Sequence, residues 1–227
     1  MRRRFLRSTV LGVVLVITVF VYFVIGAGGE QTRQMEDVHH GFSDIGQWSQ
    51  ILEGPERDKW QKPDEVVKNL NLKPGDVIAD IGAGTGYFTR RFAVAVGPEG
   101  KALGLEIEPS MVAHMKEDAQ KLKLPNYEPR LVRPDDPELG SRSVDVIFLC
   151  DAYHHIGNRV AYLKRLTKSL KPNGRVVIVD FHDRPSPVGP VPKLSEQIVI
   201  KEFQQAGYYL IRSLDFLPYQ YFLEFGS

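Results

Sequence analysis

VIADIGAGTG, residues 77–86, decides the fold. An apolar run ends in an acid, Asp80, and three glycines then alternate with small residues. The run reads as a buried strand and the glycines as a turn into a helix over 87–96. Glycine accepts positive φ and lets a ligand touch the backbone. A helix N-terminus adds free N–H groups for an anion. A dinucleotide pyrophosphate is one ligand for such a loop. Its fingerprint, however, needs a third small residue three positions beyond the second glycine. That position after Gly84 is Tyr87, and the third glycine falls at Gly86. A carboxylate at Asp80 would also repel a pyrophosphate and suits a cation or an ammonium instead. A nicotinamide-dependent oxidoreductase is therefore the weaker reading.

Outward from this stretch, strands and helices alternate. Strands are expected over 102–107, 127–132, 144–150 and 175–181, and helices over 109–122, 158–170 and 195–206. Pro109 stands at the first position of its helix, where its missing N–H costs nothing. Lys171-Pro172-Asn173-Gly174 reads as a turn, as does Lys73-Pro74-Gly75. Upstream, helices are expected over 43–52 and 63–70, separated by a break at Gly54-Pro55. The chain closes on two β runs, 209–216 and 221–225, joined so briefly that they must be antiparallel neighbours. Alternation of this kind implies a doubly wound, mostly parallel α/β sheet with right-handed crossovers. Seven strands are expected, with only the last antiparallel.

With 227 residues and a formal net charge of +1, the chain has the size of one domain with an appendage and no basic stripe for nucleic acid. Its single cysteine, Cys150, cannot close an intrachain disulfide, and no Cys/His spacing reads as a zinc site. The first thirty residues stand apart. MRRRFLR is basic, and residues 8–29 carry no charge. A run of this length spans a bilayer. It reads as an uncleaved anchor, with Ala27-Gly28-Gly29 as the cleavage point if it is instead a signal segment. The expected organisation is a basic and apolar segment over 1–29, a polar tether over 30–42 and a catalytic domain over 43–227. Arg2, Arg3, Arg4 and Arg7 precede the apolar run, and only Arg33 follows closely, so the domain is expected outside the cytoplasm, tethered or exported.

The acid-x-Gly-x-Gly-x-Gly stretch resembles the first motif of class I S-adenosylmethionine-dependent methyltransferases. Further matches follow in order: Ala102 to Met111 resembles the family's second strand and the helix after it, Ser143 to Phe148 its fourth strand, and Leu170 to Ile178 the turn into its fifth. Asn173 stands where glycine is commoner. The terminal antiparallel pair is also a family feature. The resemblance covers residues 63–227 and is closest to the branch of ubiquinone- and menaquinone-biosynthesis methyltransferases. It implies a Rossmann-like methyltransferase fold with S-adenosylmethionine as cofactor. Asp80, Gly82, Ala83, Gly84 and Gly86 would meet its methionine and ribose end, Glu106 its ribose hydroxyls, and Ile107 its adenine. Asp135 or Asp136 would reach the adenine amino group, although either also reads as a turn residue before Pro137.

Methyl transfer from a sulfonium needs an acceptor held in line with water excluded, and a base only where the acceptor arrives protonated. The fourth strand ends in Asp151-Ala152-Tyr153-His154-His155 and the fifth in Asp180-Phe181-His182. Asp151, His154, His155 and His182 are thus the candidate catalytic residues. The histidines read as a base, as a metal site or as structural groups, and no metal is expected. Trp48, Trp60, Tyr87, Tyr153 and Tyr219 are candidates for a pocket lid. The expected function is methyl transfer to a small acceptor, lipophilic if the domain sits at a membrane. The rival is a catalytically inactive binding or assembly protein with the same fold and cofactor pocket.

Overall fold

The computed structural model describes residues 53–189 and 193–227. The described residues fall in one compact unit. The expected anchor, the tether, the helix over 43–52 and Trp48 lie outside the described residues.

The chain runs through α1 (Pro55–Gln61), α2 (Pro63–Leu70), β1 (Val77–Ile81), α3 (Thr89–Val96), β2 (Lys101–Glu106), α4 (Pro109–Leu122), β3 (Tyr127–Leu131) and β4 (Val144–Cys150). A 3₁₀ turn at Tyr153–His155 leads to α5 (Arg159–Ser169), β5 (Leu170–Phe181), α6 (Glu196–Gln205), β6 (Tyr209–Leu214) and β7 (Gln220–Gly226). The seven strands form one sheet in the order β3-β2-β1-β4-β5-β7-β6. Neighbours are parallel except β7, which runs antiparallel to both β5 and β6. The order reverses between β1 and β4, the switch point where such sheets bind ligands at their carboxyl ends.

Alternation along the strands feeds two cores. Ile78, Val146, Phe148, Val177 and Phe222 face one layer, with Val66, Phe92, Val112 and Met115 from α2, α3 and α4. Ala79, Leu105, Ile147, Ile178 and Phe225 face the other, with Leu163 and Leu166 of α5 and Phe203 of α6. Burial on both faces explains why β4 and the end of β5 are apolar throughout.

β7 carries one buried acid, Glu224, held by Arg175 of β5 at 3.1 Å and Arg212 of β6 at 2.6 Å. The same arginines donate to the carbonyls of Leu70 and Asn69 at the end of α2. One ion cluster thus ties the antiparallel strand to both neighbours and satisfies helix carbonyls that have no partner in the helix.

Two elements differ from the sequence reading. Gly54-Pro55 starts α1 rather than only breaking a helix, because proline at the first position costs no hydrogen bond. β5 begins at Leu170, which pairs with Val144; the register shifts before Arg175 resumes the ladder, so the expected turn at 171–174 is an irregularity inside the strand.

Phe148 is fully buried and meets Phe88 and Phe92 edge to face, at 5.1 and 5.0 Å between ring centres. Phe148→Ala is expected to lower the unfolding free energy by about 3–5 kcal/mol in urea titration. Val94→Ala, at a position 68% exposed, should stay within about 0.5 kcal/mol. A loss below about 1 kcal/mol for Phe148→Ala would show that this aromatic cluster does not support the sheet.

Candidate active site

β1 ends at Ile81, and the chain turns at once. The N–H groups of Gly82 and Ala83 both donate to Leu105 O on β2, at 2.9 and 3.2 Å. Gly82, Gly84 and Gly86 all have positive φ, +73°, +55° and +83°. Two of them also have no room for a side chain. A Cβ on Gly82 would lie 2.6 Å from Ala152 Cβ, and one on Gly86 1.7 Å from Tyr127 Oη. The third glycine is therefore a packing requirement. It lets the loop close over β3, and α3 starts only at Thr89.

Glu106 closes the loop from the end of β2. Its Oε2 accepts the Gly84 N–H at 2.8 Å, and its Oε1 accepts those of Ile107 and Glu108 at 2.7 and 3.2 Å. Ile107 beside it is 47% exposed, a bare apolar surface at the strand end. Asp80 is only 3% exposed, and its Oδ2 accepts from Thr89 Oγ1 at 2.6 Å. Burial pushes its carboxyl up to about 7; the Thr89 hydrogen bond opposes the shift and the Glu106 charge adds to it.

The tips of β4 and β5 carry a second polar group. Asp151 has φ +54°, and its N–H donates to Val179 O at 3.0 Å. Its Oδ1 accepts from Gln220 Nε2 at 2.5 Å, and Gln220 Oε1 accepts from Gln61 Nε2 at 2.5 Å. Arg57 stands 3.8 Å from its Oδ2. Burial, and then the Asp180 charge, push Asp151 up to about 7, against Arg57 and His154. His154 Nδ1 lies 3.0 and 2.9 Å from the two oxygens of Asp180. Burial disfavours the charged imidazole, but the Asp180 hydrogen bond and charge outweigh it and hold His154 above its ordinary value.

The structure brings Asp151 and His154 together and sets the exposed His155 beside His154, its ring tilted by 46° with 4.1 Å between ring centres. His182 is not part of this group. It packs edge-on against Tyr221, and its Nε2 is 3.9 Å from Asp215 near the β6–β7 connection. Asp135 and Asp136 are not brought to the glycine loop either. Asp136 accepts from Arg133 and from the Glu138 N–H, and it pairs with Arg165. It lines a cavity of about 680 Å³ with Lys168, Asn173 and Ser227, beside the amino end of β5. Asp135 is exposed beside Arg133. Among the described residues, no group of three His, Cys, Asp or Glu side chains is placed to hold a metal ion.

The aromatic candidates divide. Trp60 meets Phe181 and Tyr219 at 5.7 and 6.5 Å, next to the β5 tip. Tyr87 is clamped between the guanidinium groups of Arg57 and Arg91, which makes it a strut between α1 and α3. Tyr153 is fully buried and donates to Glu202 at 2.7 Å. Sequence reasoning left Asp180, Gln61 and Gln220 out of the site. The available signal was a polar residue closing a wholly apolar run, present at Asp180 but not at Gln61 or Gln220.

The edge therefore has two halves that meet where Gly82 touches Ala152. One is a bare backbone loop with carboxylates at Asp80 and Glu106 and an exposed apolar residue at Ile107. The other is a buried carboxylate–imidazole group. The first half fits S-adenosylmethionine: Glu106 for paired hydroxyls, Ile107 for a flat base, and acid rather than base for a cationic ligand.

Comparison with known proteins agrees. A family model described as a methyltransferase domain matches residues 72–212. A demethylmenaquinone methyltransferase of Oceanobacillus iheyensis is 27% identical over 158 residues, 67% of this chain and 65% of that protein. Phosphoethanolamine N-methyltransferase 3 of Arabidopsis thaliana is 32% identical over 130 residues, 56% of this chain and 25% of that protein. The match thus spans less than two thirds of the length of either relative. The crystal structure of a SAM-dependent methyltransferase from Aquifex aeolicus superposes with a TM-score of 0.75 at 26% identity, over 80% of this chain and 97% of that one. With this strand order, a bare acidic loop at the switch point and a family match over most of the sheet, the chain belongs to the S-adenosylmethionine-dependent methyltransferases.

Proposed function

We propose that this domain methylates a small, lipophilic acceptor bearing an ionisable hydroxyl, of the quinol type. The observation that carries the reading is the buried Asp151–Asp180–His154 group next to the cofactor loop. A base is useful only where the acceptor must lose a proton. The similarity to a demethylmenaquinone methyltransferase supports a quinol. Gly82, Ala83, Gly84 and Gly86 are assigned to the cofactor's amino-acid end, with Asp80 balancing its positive charge. Glu106 is assigned to the ribose hydroxyls and Ile107 to the adenine face. When bound, S-adenosylmethionine supplies the methyl group as an activated electrophile. The chain's own work is to orient the acceptor, exclude water and accept a proton. Trp60, Phe181 and Tyr219 offer a flat apolar wall beside the β5 tip for an aromatic acceptor. The test is to incubate the purified chain with methyl-labelled cofactor and either demethylmenaquinol or a membrane lipid extract. Label is expected in a lipid-phase product; label that never leaves the cofactor in either mixture would sink the reading.

Cofactor affinity should depend on pH through Asp80. Its carboxyl is raised from about 3.8 to about 7 in the fold. Protonation therefore favours the folded state, fully so below about 4, and this contribution is lost as pH rises through 7. A cationic ligand selects the ionised form. Calorimetry should find binding about tenfold weaker at pH 6 than at pH 8. Asp80→Asn should bind weakly with a flat profile, and a variant that keeps the wild-type slope would remove Asp80 from the site.

The basic N-terminus followed by the uncharged run over 8–29 supports a tethered, extracytoplasmic domain. A tether of about a dozen residues would keep the acceptor side near the bilayer, where a lipophilic substrate partitions. Reporter fusions after Ser227 should be active outside the cytoplasm; activity confined to the cytoplasm would overturn this topology.

A further inference from the structure

Asp180 is the last residue but one of β5, and both of its oxygens face one ring nitrogen, His154 Nδ1, at 3.0 and 2.9 Å. Its Oδ1 also accepts the Phe181 N–H at 2.8 Å, which fixes the carboxylate on its strand. Two carboxyl oxygens facing Nδ1 favour the tautomer that carries its proton there. The other nitrogen, Nε2, has no hydrogen-bond partner among the described residues.

The turn that carries the ring is held as well. Tyr153, the preceding residue, is fully buried, and its hydroxyl donates to Glu202. Glu202 is itself gripped by Arg159 through two hydrogen bonds, at 2.8 and 2.7 Å. The 3₁₀ turn is thereby anchored to α5 and α6, and His154 is only 8% exposed. An imidazole fixed through its backbone turn and at Nδ1 has one ring nitrogen left for chemistry.

We propose that Asp180 is a positioning residue: it holds His154 as the Nδ1–H tautomer so that the bare Nε2 accepts the hydroxyl proton of the methyl acceptor. This rests on the reading of the domain as a methyltransferase for hydroxyl-bearing acceptors. A neutral amine already has a free lone pair, so a preset base points to a hydroxyl compound instead. The proton passes from the acceptor oxygen to Nε2. The imidazolium so formed is stabilised by the Asp180 carboxylate, which keeps its own charge.

The charged and titratable groups around His154 come from every neighbouring element: Asp180 from β5, Asp151 from the end of β4, His155 in the same turn and Arg159 from α5. Arg57 of α1 faces Asp151, and Glu202 of α6 faces Arg159. Asp180 and Asp151 favour the imidazolium, while burial and Arg159 oppose it. Loss of the Asp180 charge therefore shifts the balance toward the neutral ring.

The test is NMR on the full-length chain labelled with ¹⁵N-histidine, using S-adenosylhomocysteine and 1,4-dihydroxynaphthalene as probes. In the wild type, neutral His154 is expected to carry its proton on Nδ1. Asp180→Asn is expected to lower its titration midpoint by about one unit or more, and Asp180→Glu to restore most of it. The dihydroxy probe should move the Nε2 resonance, and its dimethyl ether should not. A proton found on Nε2, an unchanged midpoint in Asp180→Asn, or equal responses to probe and ether would each overturn the proposal. If Asp180→Asn does not fold, the wild-type tautomer and the probe–ether comparison decide alone. None of these readouts needs turnover, so they stand apart from a failure to label a product.

Discussion

The contact between Gly82 and Ala152 is the constraint on which the rest of the site depends. It joins the loop after β1 to the loop after β4, at the place where the strand order reverses. A side-chain carbon on Gly82 would lie 2.6 Å from Ala152 Cβ, well inside van der Waals contact. The cofactor loop and the loop carrying Asp151 and His154 therefore have one mutual position. Each is also locked to its own side: the first by Gly82 and Ala83 donating to Leu105 O, the second by Asp151 N–H donating to Val179 O. A close approach of bare backbone thus fixes the glycine loop against the loop of Asp151 and His154, and under the proposed function these are the two halves of the transfer. Small positional errors are costly in such reactions.

This edge concentrates acids. Asp80, Glu106, Asp151 and Asp180 all lie at or within one residue of the carboxyl ends of strands of one sheet, and all sit at or near the protein interior. Left unpaired, buried charges of one sign would oppose folding. The structure answers differently at each position. Glu106 accepts three backbone N–H groups, Asp180 takes an imidazole and an N–H, and Asp80 and Asp151 are pushed toward their neutral forms. A cation that arrives at this edge makes ionisation of Asp80 favourable again. Affinity for a sulfonium and instability of the empty charged site then have the same physical origin.

Much of the sheet was legible in the sequence because burial on both faces leaves uninterrupted apolar runs. β1, β4, α2 and α4 begin and end where the residue pattern put them. The placement of the candidate residues was legible where polar residues follow apolar runs, as at Asp80, Glu106, Asp151 and His154, all of which lie at the carboxyl edge of the sheet. It was illegible where a role depends on which strands become neighbours. Gln220 looked like the end of a connection, yet β7 inserts between β5 and β6 and delivers it to Asp151. Asp136 sits one segment after β3, but the chain there turns back toward the amino end of β5, where Arg133 and Arg165 bind it. Tyr153 looked like a lid residue beside two histidines and is instead the pin of their turn, because Glu202 waits for it on α6.

The glutamine chain extends the argument to α1. Gln61 and Gln220 are both fully buried, and each makes its hydrogen bond to a group on a different element. A buried amide left without a partner is costly, so the two side chains stabilise α1 only when it is docked with Gln61 over the start of β7. Arg57 and Trp60 on the same short helix reach the same edge, Arg57 toward Asp151 and Trp60 toward Phe181. A seven-residue helix has little stability of its own. Its placement therefore depends on the polar contacts it makes with this edge, and Gln220 and Arg57 in turn both reach the Asp151 carboxylate.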